Sequence, residues 1–185
     1  LRIRDLRGGG EHDLGVTNAQ GDLAWSNDGT QLVYTALDAH HRPNRVYRIG
    51  RDGTASLVYE EPDPAFYLDV AKTESRRFIV IAGADHSDTA EARLLDADDP
   101  GAGPVLVRAR ESGLDYTVAE HAGRLILLTN QGGAQDYKIV AVAPESAHDT
   151  AAWSEIVPHR PGVLIKDMIV RRHHLIRLEL ADALP

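Results

Sequence analysis

The sequence predicts an all-β fold, a β-propeller fragment of about four four-stranded antiparallel blades. Short apolar stretches alternate with polar turns along the whole chain. The same pattern returns after 47 and then 48 residues, from Asp22 to Asp69 and on to Thr117. A period of this size with four strands per unit is typical of propeller blades. No stretch combines helical i, i+3, i+4, i+7 apolar spacing with a capping residue, so no helix is predicted.

The first complete unit shows the pattern of one blade. Two apolar strands within residues 23–34 flank Asn27-Asp28-Gly29. Asp-Gly there predicts a two-residue hairpin turn, because glycine accepts a positive φ without strain. A third strand, Asn44–Ile49, and a fourth, Ala55–Tyr59, follow, with Gly50–Gly53 as the turn between them. The four strands together predict an antiparallel meander.

The repeat is clearest in the first two strands of each unit. The first strands contain Asp22–Trp25, Asp69–Lys72 and Thr117–Glu120, and the second strands contain Leu32–Tyr34, Phe78–Ile81 and Leu125–Leu128. A fourth copy begins near Leu164, with Leu175–Leu178 in its second strand. Uninterrupted apolar runs suit strands that neighbouring blades cover on both faces. A sandwich with irregular strand lengths is the alternative fold.

The strand pattern divides a single predicted domain, residues 1–185, into complete and partial units. Complete units span about residues 22–61, 66–110 and 114–157, and partial units span 1–20 and 162–180. Within the first partial unit, Leu1–Leu6 predicts a strand that leads into three glycines, and Leu14–Thr17 predicts a second, weaker strand. We interpret these two strands as the outer half of an earlier blade.

Composition excludes several classes of protein. The net charge of −8 argues against a nucleic-acid partner, because a basic stripe is the usual footprint of nucleic-acid binding. No apolar run reaches the roughly 18 residues that indicate a membrane-spanning helix. The chain has no cysteine, which excludes disulfides and suits a reducing compartment. Because residue 1 is Leu and no leader pattern follows, we expect a piece of a longer protein.

Five segments, in order along nearly the whole chain, show a family resemblance: Leu57–Glu61, Phe66–Ile81, Arg93–Pro100, Leu127–Asn130 and Trp153–Pro161. They resemble the oligopeptidase B branch of the prolyl oligopeptidase family. The resemblance implies a large cytoplasmic serine peptidase in which a seven-bladed propeller caps an α/β-hydrolase domain. It also implies cleavage of oligopeptides after Arg or Lys, with the propeller admitting only small, unfolded substrates. The implied partners are therefore oligopeptide substrates and a C-terminal hydrolase domain that this chain does not contain.

No catalytic residue is predicted within the chain itself. A nucleophile elbow needs Gly-x-Ser-x-Gly, and none of the serines has these flanking glycines: Ser26, Ser56, Ser75, Ser87, Ser112, Ser146 and Ser154. The hydroxyl of Ser26, beside a turn, is expected to bond local backbone. The family resemblance places the catalytic Ser, Asp and His beyond Pro185. We expect the parent protein to be an enzyme and this chain alone to be inactive.

Histidines and carboxylates are common metal ligands, but the spacing of those in this sequence does not predict a metal site. His40-His41 and His173-His174 are adjacent pairs, and neighbours on a strand point to opposite faces, so neither pair readily chelates one ion. Neither metal nor cofactor is predicted. The acidic clusters Glu60-Glu61-Asp63 and Asp96-Asp98-Asp99 lack calcium-loop spacing and adjoin prolines, which predicts solvated turns at the blade edges. Acids that faced the central channel would instead concentrate basic peptides there.

Both tryptophans are predicted to lie in the core. Trp25 is placed at the start of an inner strand and Trp153 at the start of an outer strand. Burial of Trp25 predicts that Trp25→Ala costs about 3–5 kcal/mol.

Two functions and one assembly follow as hypotheses. The chain is either the substrate-gating propeller of a serine oligopeptidase or an independent protein-interaction scaffold.

Two strands before Asp22 and two after Gly162 together make one further blade. Closure of one chain as four blades would need about 90° per blade, whereas a two-chain ring of eight would need about 45°, near the ~51° of a seven-bladed propeller. We therefore expect the isolated chain to form a homodimer.

Overall fold

The apolar stretches of the sequence form the second and third strands of three four-stranded antiparallel sheets. A computed structural model describes residues 1–181, so the last four residues of the predicted domain 1–185 lie outside the described part. Blade I contains β3 Ala19–Trp25, β4 Gln31–Leu37, β5 Pro43–Gly50 and β6 Ala55–Glu60. Blade II contains β7 Tyr67–Lys72, β8 Phe78–Ala84, β9 Ala90–Asp96 and β10 Val105–Arg108. Blade III contains β11 Tyr116–His121, β12 Arg124–Thr129, β13 Lys138–Val142 and β14 Ser154–Val157.

Two shorter sheets complete the fold. The strands β1 Arg2–Arg4 and β2 Glu11–Asp13 form one pair, and β15 Val163–Val170 and β16 Leu175–Ala181 form the other. Within every blade the strands pair in chain order. Two short 3-10 turns, Pro144–Ser146 and Thr150–Ala152, lie between β13 and β14. No helix of residues 1–181 is long and apolar enough to cross a membrane.

Antiparallel pairing in chain order gives each blade two distinct ends. The hairpin end has the turns from first to second strand, at residues 26–30, 73–77 and 122–123. The link end has the turns from second to third strand and the segments that join blades, at residues 61–66 and 109–115.

The core lies in the seams between blades. One apolar cluster joins blades I and II through Val33, Val46, Ile79 and Leu95. Another cluster, which includes Phe78, Leu125 and Val140, joins blades II and III. The second strands bury both faces, and this explains the uninterrupted apolar runs of the sequence.

The predicted strand at Leu14–Thr17 is wrong, because β2 forms at Glu11–Asp13 instead. The glycine-rich turn ends at Gly10, where the Asp5 N–H donates to Gly10 O. The second strand therefore starts at Glu11, and Arg2 pairs with Asp13. Leu14 leaves the sheet and is buried against blade I.

The two-residue turn predicted at Asn27-Asp28-Gly29 is also wrong. The connection spans residues 26–30, and the Asp28 carboxylate organises it by accepting bonds from Ser26 Oγ, Thr30 N–H and Thr30 Oγ. The Ser26 hydroxyl bond lowers the pKa of Asp28 to about 2, with the Thr30 bonds adding to it. The predicted local backbone bond of Ser26 is confirmed, since its Oγ accepts from the Gln31 N–H at 3.0 Å.

Of the two tryptophans, only Trp153 is buried. It precedes β14, and its indole N–H donates to Ala147 O at 3.0 Å. Trp25 ends β3 rather than starting it and is half-buried, because it lines a cavity of about 720 Å³ between the β1–β2 pair and blade I. The core position predicted for Trp25 is therefore wrong.

Candidate functional site

A buried ionic cluster joins blades I and II at the link end. Glu61 directly follows β6 and is only 1% exposed, and Glu91 lies on β9 with 7% exposed. Arg110, which follows β10, donates to Glu61 Oε2 at 2.6 Å and to Glu91 Oε1 at 3.3 Å. Its guanidinium stacks on the Phe66 ring at 3.7 Å. One cation thus joins blade II to the segment that links it to blade I.

A second cation completes the cluster. Arg93 on β9 pairs with Glu91 and lies 3.9 Å from the centre of the Tyr59 ring on β6. The Tyr59 hydroxyl donates to Glu61 Oε2 at 2.9 Å. The two guanidiniums face the two buried carboxylates, and the half-exposed Asp63 adds a third carboxylate 3.8 Å from Arg110. The cluster therefore stays ionised although it is largely removed from water.

The pKa values in the cluster follow this pairing. Burial is the largest single effect and would raise the pKa of Glu61 and of Glu91. The hydrogen bonds and positive charges around them, with the bond from Arg110 the largest, together outweigh it and hold both pKa values below the ordinary range. Burial and the bond to Glu61 raise the pKa of Tyr59 to about 12. We infer that the cluster is a structural clamp, because every charged group in it is satisfied by another.

The prediction that Glu60-Glu61-Asp63 forms a solvated turn is therefore wrong for Glu61. Glu60 does remain at the surface, paired with Arg45. The sequence nevertheless contains a signal for the cluster, since Glu91 and Arg93 lie two residues apart, on one face of a strand whose other residues before Asp96 are apolar. Of the second acidic cluster, Asp96 and Asp98 are exposed, as predicted for turn residues.

A pair of carboxylates lies on the first strands of neighbouring blades. Asp22 on β3 and Asp69 on β7 occupy equivalent positions of the repeat, and their strands contact each other. Neighbouring atoms partly desolvate the Asp69 carboxyl, although the residue as a whole is exposed. This desolvation and the nearby Asp22 charge raise the pKa of Asp69. We call this pair the acidic spot. Because propeller blades surround a central channel and these first strands are neighbours, we expect the acidic spot to face that channel.

The histidines named in the sequence lie in exposed connections. His40 and His41 are in the β4–β5 turn, and His173 and His174 are in the β15–β16 turn rather than on a strand. Within residues 1–181, no group of three His, Cys, Asp or Glu side chains is arranged to hold a metal ion.

The fold, with the buried ionic cluster between two of its blades, defines a class of protein. It is a propeller domain of four-stranded blades. The family model described as the N-terminal β-propeller domain of prolyl oligopeptidase matches residues 1–185. The chain therefore belongs to the prolyl oligopeptidase N-terminal β-propeller family.

Named relatives agree with this assignment. Dipeptidyl aminopeptidase BI of Pseudoxanthomonas mexicana is 32% identical over 100% of this chain and 26% of its own length. Protease 2 of Moraxella lacunata is 33% identical over 71% of this chain and 20% of its own length. Oligopeptidase B from Trypanosoma brucei, solved in a closed form with covalently bound antipain, superposes with a TM-score of 0.82 at 27% identity. That match covers 90% of this chain and 24% of the oligopeptidase. The chain thus spans about a quarter of these relatives or less, and the family resemblance seen in the sequence is confirmed.

Proposed function

We propose that this chain is the part of a propeller that restricts access to the active site of a cytoplasmic serine oligopeptidase. The substrates are oligopeptides cleaved after Arg or Lys, and the chain by itself is inactive. The observation that supports this proposal best is the family match over residues 1–185, together with the absence of any Gly-x-Ser-x-Gly in the sequence.

The acidic spot, which we expect to face the channel, supports the preference for basic peptides. Asp22 and Asp69 are two carboxylates on adjacent first strands, and the chain as a whole has a net charge of −8. Negative charge inside a narrow passage raises the local concentration of cations. A peptide with Arg or Lys side chains would therefore enter the channel faster than a neutral peptide.

The first test is a hydrolysis assay on the isolated chain. We expect no turnover of Arg or Lys peptide amides at any protein concentration that can be reached. Turnover abolished by a serine-directed inhibitor would overturn the proposed inactivity. The parent reading frame supplies the complementary result, because a hydrolase domain with Gly-x-Ser-x-Gly beyond Pro185 is expected, and an unrelated domain there would favour an interaction scaffold.

The second test uses the full-length protein. The double substitution Asp22→Asn and Asp69→Asn should lower kcat/KM for a multiply basic oligopeptide several-fold at low salt and have less effect at high salt. Asp52→Asn, in an exposed turn of blade I, is the matched control. An equal effect of both changes would refute a role for the acidic spot.

We also propose that the isolated chain forms a two-fold dimer. Within residues 1–181 the β1–β2 pair and the β15–β16 pair share no strand pairing, so the chain does not close on itself as four blades. The β15–β16 sheet exposes apolar side chains, among them Ile169, Ile176 and Leu178. Each pair could complete a blade with the opposite pair of a second copy. Light scattering after size exclusion is expected to give twice the chain mass of 20.2 kDa, and a monomer at tens of micromolar would refute the dimer.

A further inference from the structure

The seams between complete blades are not equivalent, and the difference lies at the hairpin end. Seam I–II, between blades I and II, and seam II–III, between blades II and III, both join four-stranded sheets. The two-stranded sheets touch this comparison through Arg171 in the β15–β16 turn, which pairs with Glu74 in the first hairpin turn of blade II. Both side chains of that pair are about half exposed, so it contributes little to holding the hairpin end closed.

Seam I–II has polar cross-links at both ends. At the link end it contains the buried ionic cluster of Glu61, Glu91 and Arg110. At the hairpin end the Asn27 N–H donates to Ala97 O at 2.8 Å, and the Asn27 side-chain amide donates to Arg76 O at 2.9 Å.

Lys72 adds another cross-link at the hairpin end of seam I–II. It is the last residue of β7, and its ammonium donates to the main-chain oxygen of Trp25 at 2.6 Å. Since Trp25 is the last residue of β3, this bond joins the first strands of the two blades where both end.

Seam II–III is cross-linked at the link end. The Ala90 N–H donates to Leu114 O at 3.0 Å, and the Tyr116 hydroxyl accepts from Ala92 N–H at 3.0 Å and donates to Arg108 O at 3.1 Å. Arg108, the last residue of β10, also donates to His148 O. Among the described residues, no hydrogen bond joins the first-hairpin turns of blades II and III, residues 73–77 and 122–123.

Glu120 shows the contrast most directly, because it is the equivalent of Lys72 in the repeat. Lys72 pairs with Ile79 in its hairpin, and Glu120 pairs with Leu125 in the same way. Glu120 is 3% exposed, yet it bonds only within its own turn, where Oε1 accepts from the Gly123 N–H at 2.6 Å. No donor in residues 1–181 reaches its buried Oε2 atom.

A buried carboxylate oxygen without a donor lowers the cost of opening the seam around it. Closing such a seam removes the oxygen from water without replacing its hydrogen bonds, which is unfavourable. Opening the seam restores its hydration. At seam I–II the opposite holds, because opening would break the bonds of Lys72 and Asn27.

We propose that the propeller opens at the hairpin end between blades II and III, while blades I and II move as one unit. The apolar cluster of seam II–III then separates at its hairpin-end edge, next to Glu120. The link end acts as the hinge, since its cross-links remain intact.

Thiol labelling tests this proposal, because the chain contains no cysteine of its own. Ile79→Cys and Leu125→Cys place single thiols at equivalent, fully buried positions beside seams I–II and II–III respectively. Labelling is measured well below the denaturant midpoint of each variant, and rates are compared after correction for global stability. We expect the thiol introduced at position 125 to react at least tenfold faster than the one introduced at position 79. Equal rates, or faster labelling at position 79, would overturn the proposal.

Second substitutions test the named residues. Adding Glu120→Gln to Leu125→Cys should slow labelling several-fold, because the amide still accepts from Gly123 and is less costly to bury. Adding Lys72→Met to Ile79→Cys should speed labelling several-fold, whereas Lys166→Met, at an exposed position of β15, should leave it unchanged. No change with either Glu120→Gln or Lys72→Met would refute the assigned roles.

Discussion

At the scale of single residues, Arg110 is the cation on which the clamp between blades I and II depends. Arg110→Gln should lower the free energy of unfolding by about 3 kcal/mol, because it leaves Glu61 and Glu91 buried with too few donors. Arg45→Gln is the control, since the Arg45–Glu60 pair is 40% and 44% exposed and should contribute little to the free energy of unfolding. Urea unfolding at pH 7 measures both changes. Equal losses would mean that the buried cluster contributes no more than a surface pair.

Trp153 and Trp25 make a second test at this scale. Trp153→Ala should cost about 3–5 kcal/mol, because it removes a buried ring and its indole hydrogen bond. Trp25→Ala should cost clearly less, since this ring borders an open cavity. Thermal unfolding of the two variants gives the comparison, and a larger loss for Trp25→Ala would contradict the burial described above.

At the scale of elements, the tightest hairpin of the complete blades is β11–β12, where two residues connect the strands. Ala122 has φ +49° and Gly123 has φ +82°, which is the pattern of a turn that favours Asn-Gly. Ala122→Asn should raise the free energy of unfolding by about 0.5–1 kcal/mol, because Asn tolerates positive φ better than Ala does. Ala39→Asn, in the longer β4–β5 turn, should have no measurable effect on the denaturant midpoint. A destabilised Ala122→Asn variant would contradict the turn assignment.

The sequence predicts elements better than it predicts their turns and charged contacts. The apolar runs at Leu32–Tyr34, Phe78–Ile81 and Leu125–Leu128 locate the second strands, because double-sided burial requires uninterrupted apolar residues. The Asp28-Gly29 pair fails as a turn signal because the Asp28 carboxylate bonds a longer loop. The environment of Glu61 depends on Arg110, which lies 49 residues away in the chain, and local pattern does not reveal such a pair. Asp22 and Asp69 are not predicted as a pair from the sequence, although the repeat places them at equivalent positions.

At the scale of the whole molecule, stability should depend on pH through the clamp. Glu61 and Glu91 have pKa values below their ordinary value of 4.5, so the folded state binds fewer protons than the unfolded state in this range. Their contribution is present above the unfolded pKa and is lost as the pH falls through the folded pKa. Asp69 acts in the opposite sense, because its raised pKa favours the folded state as acid is added.

Among the described residues eight carboxyls, Glu61, Glu91 and Asp28 among them, have lowered pKa values, and one carboxyl, Asp69, has a raised pKa. We therefore expect the free energy of unfolding to fall between about pH 5 and pH 3. Chemical denaturation across this range should show a shallower slope in Arg110→Gln, since Glu61 and Glu91 then lose the bond that depresses them. An unchanged slope would exclude the clamp as the source of the acid sensitivity.

The bond from Lys72 to the oxygen of Trp25 has a consequence for how such a chain can evolve by duplication. Its acceptor belongs to the main chain, so any first strand that ends at the same place offers it, whatever its side chains are. A tandem copy of blade II would therefore fit beside its own original at the hairpin end. A tandem copy of blade III would instead bury a second Glu120 with no matching donor supplied by its neighbour. At this one bond, the contact of blade II with its predecessor does not depend on the predecessor's side chains.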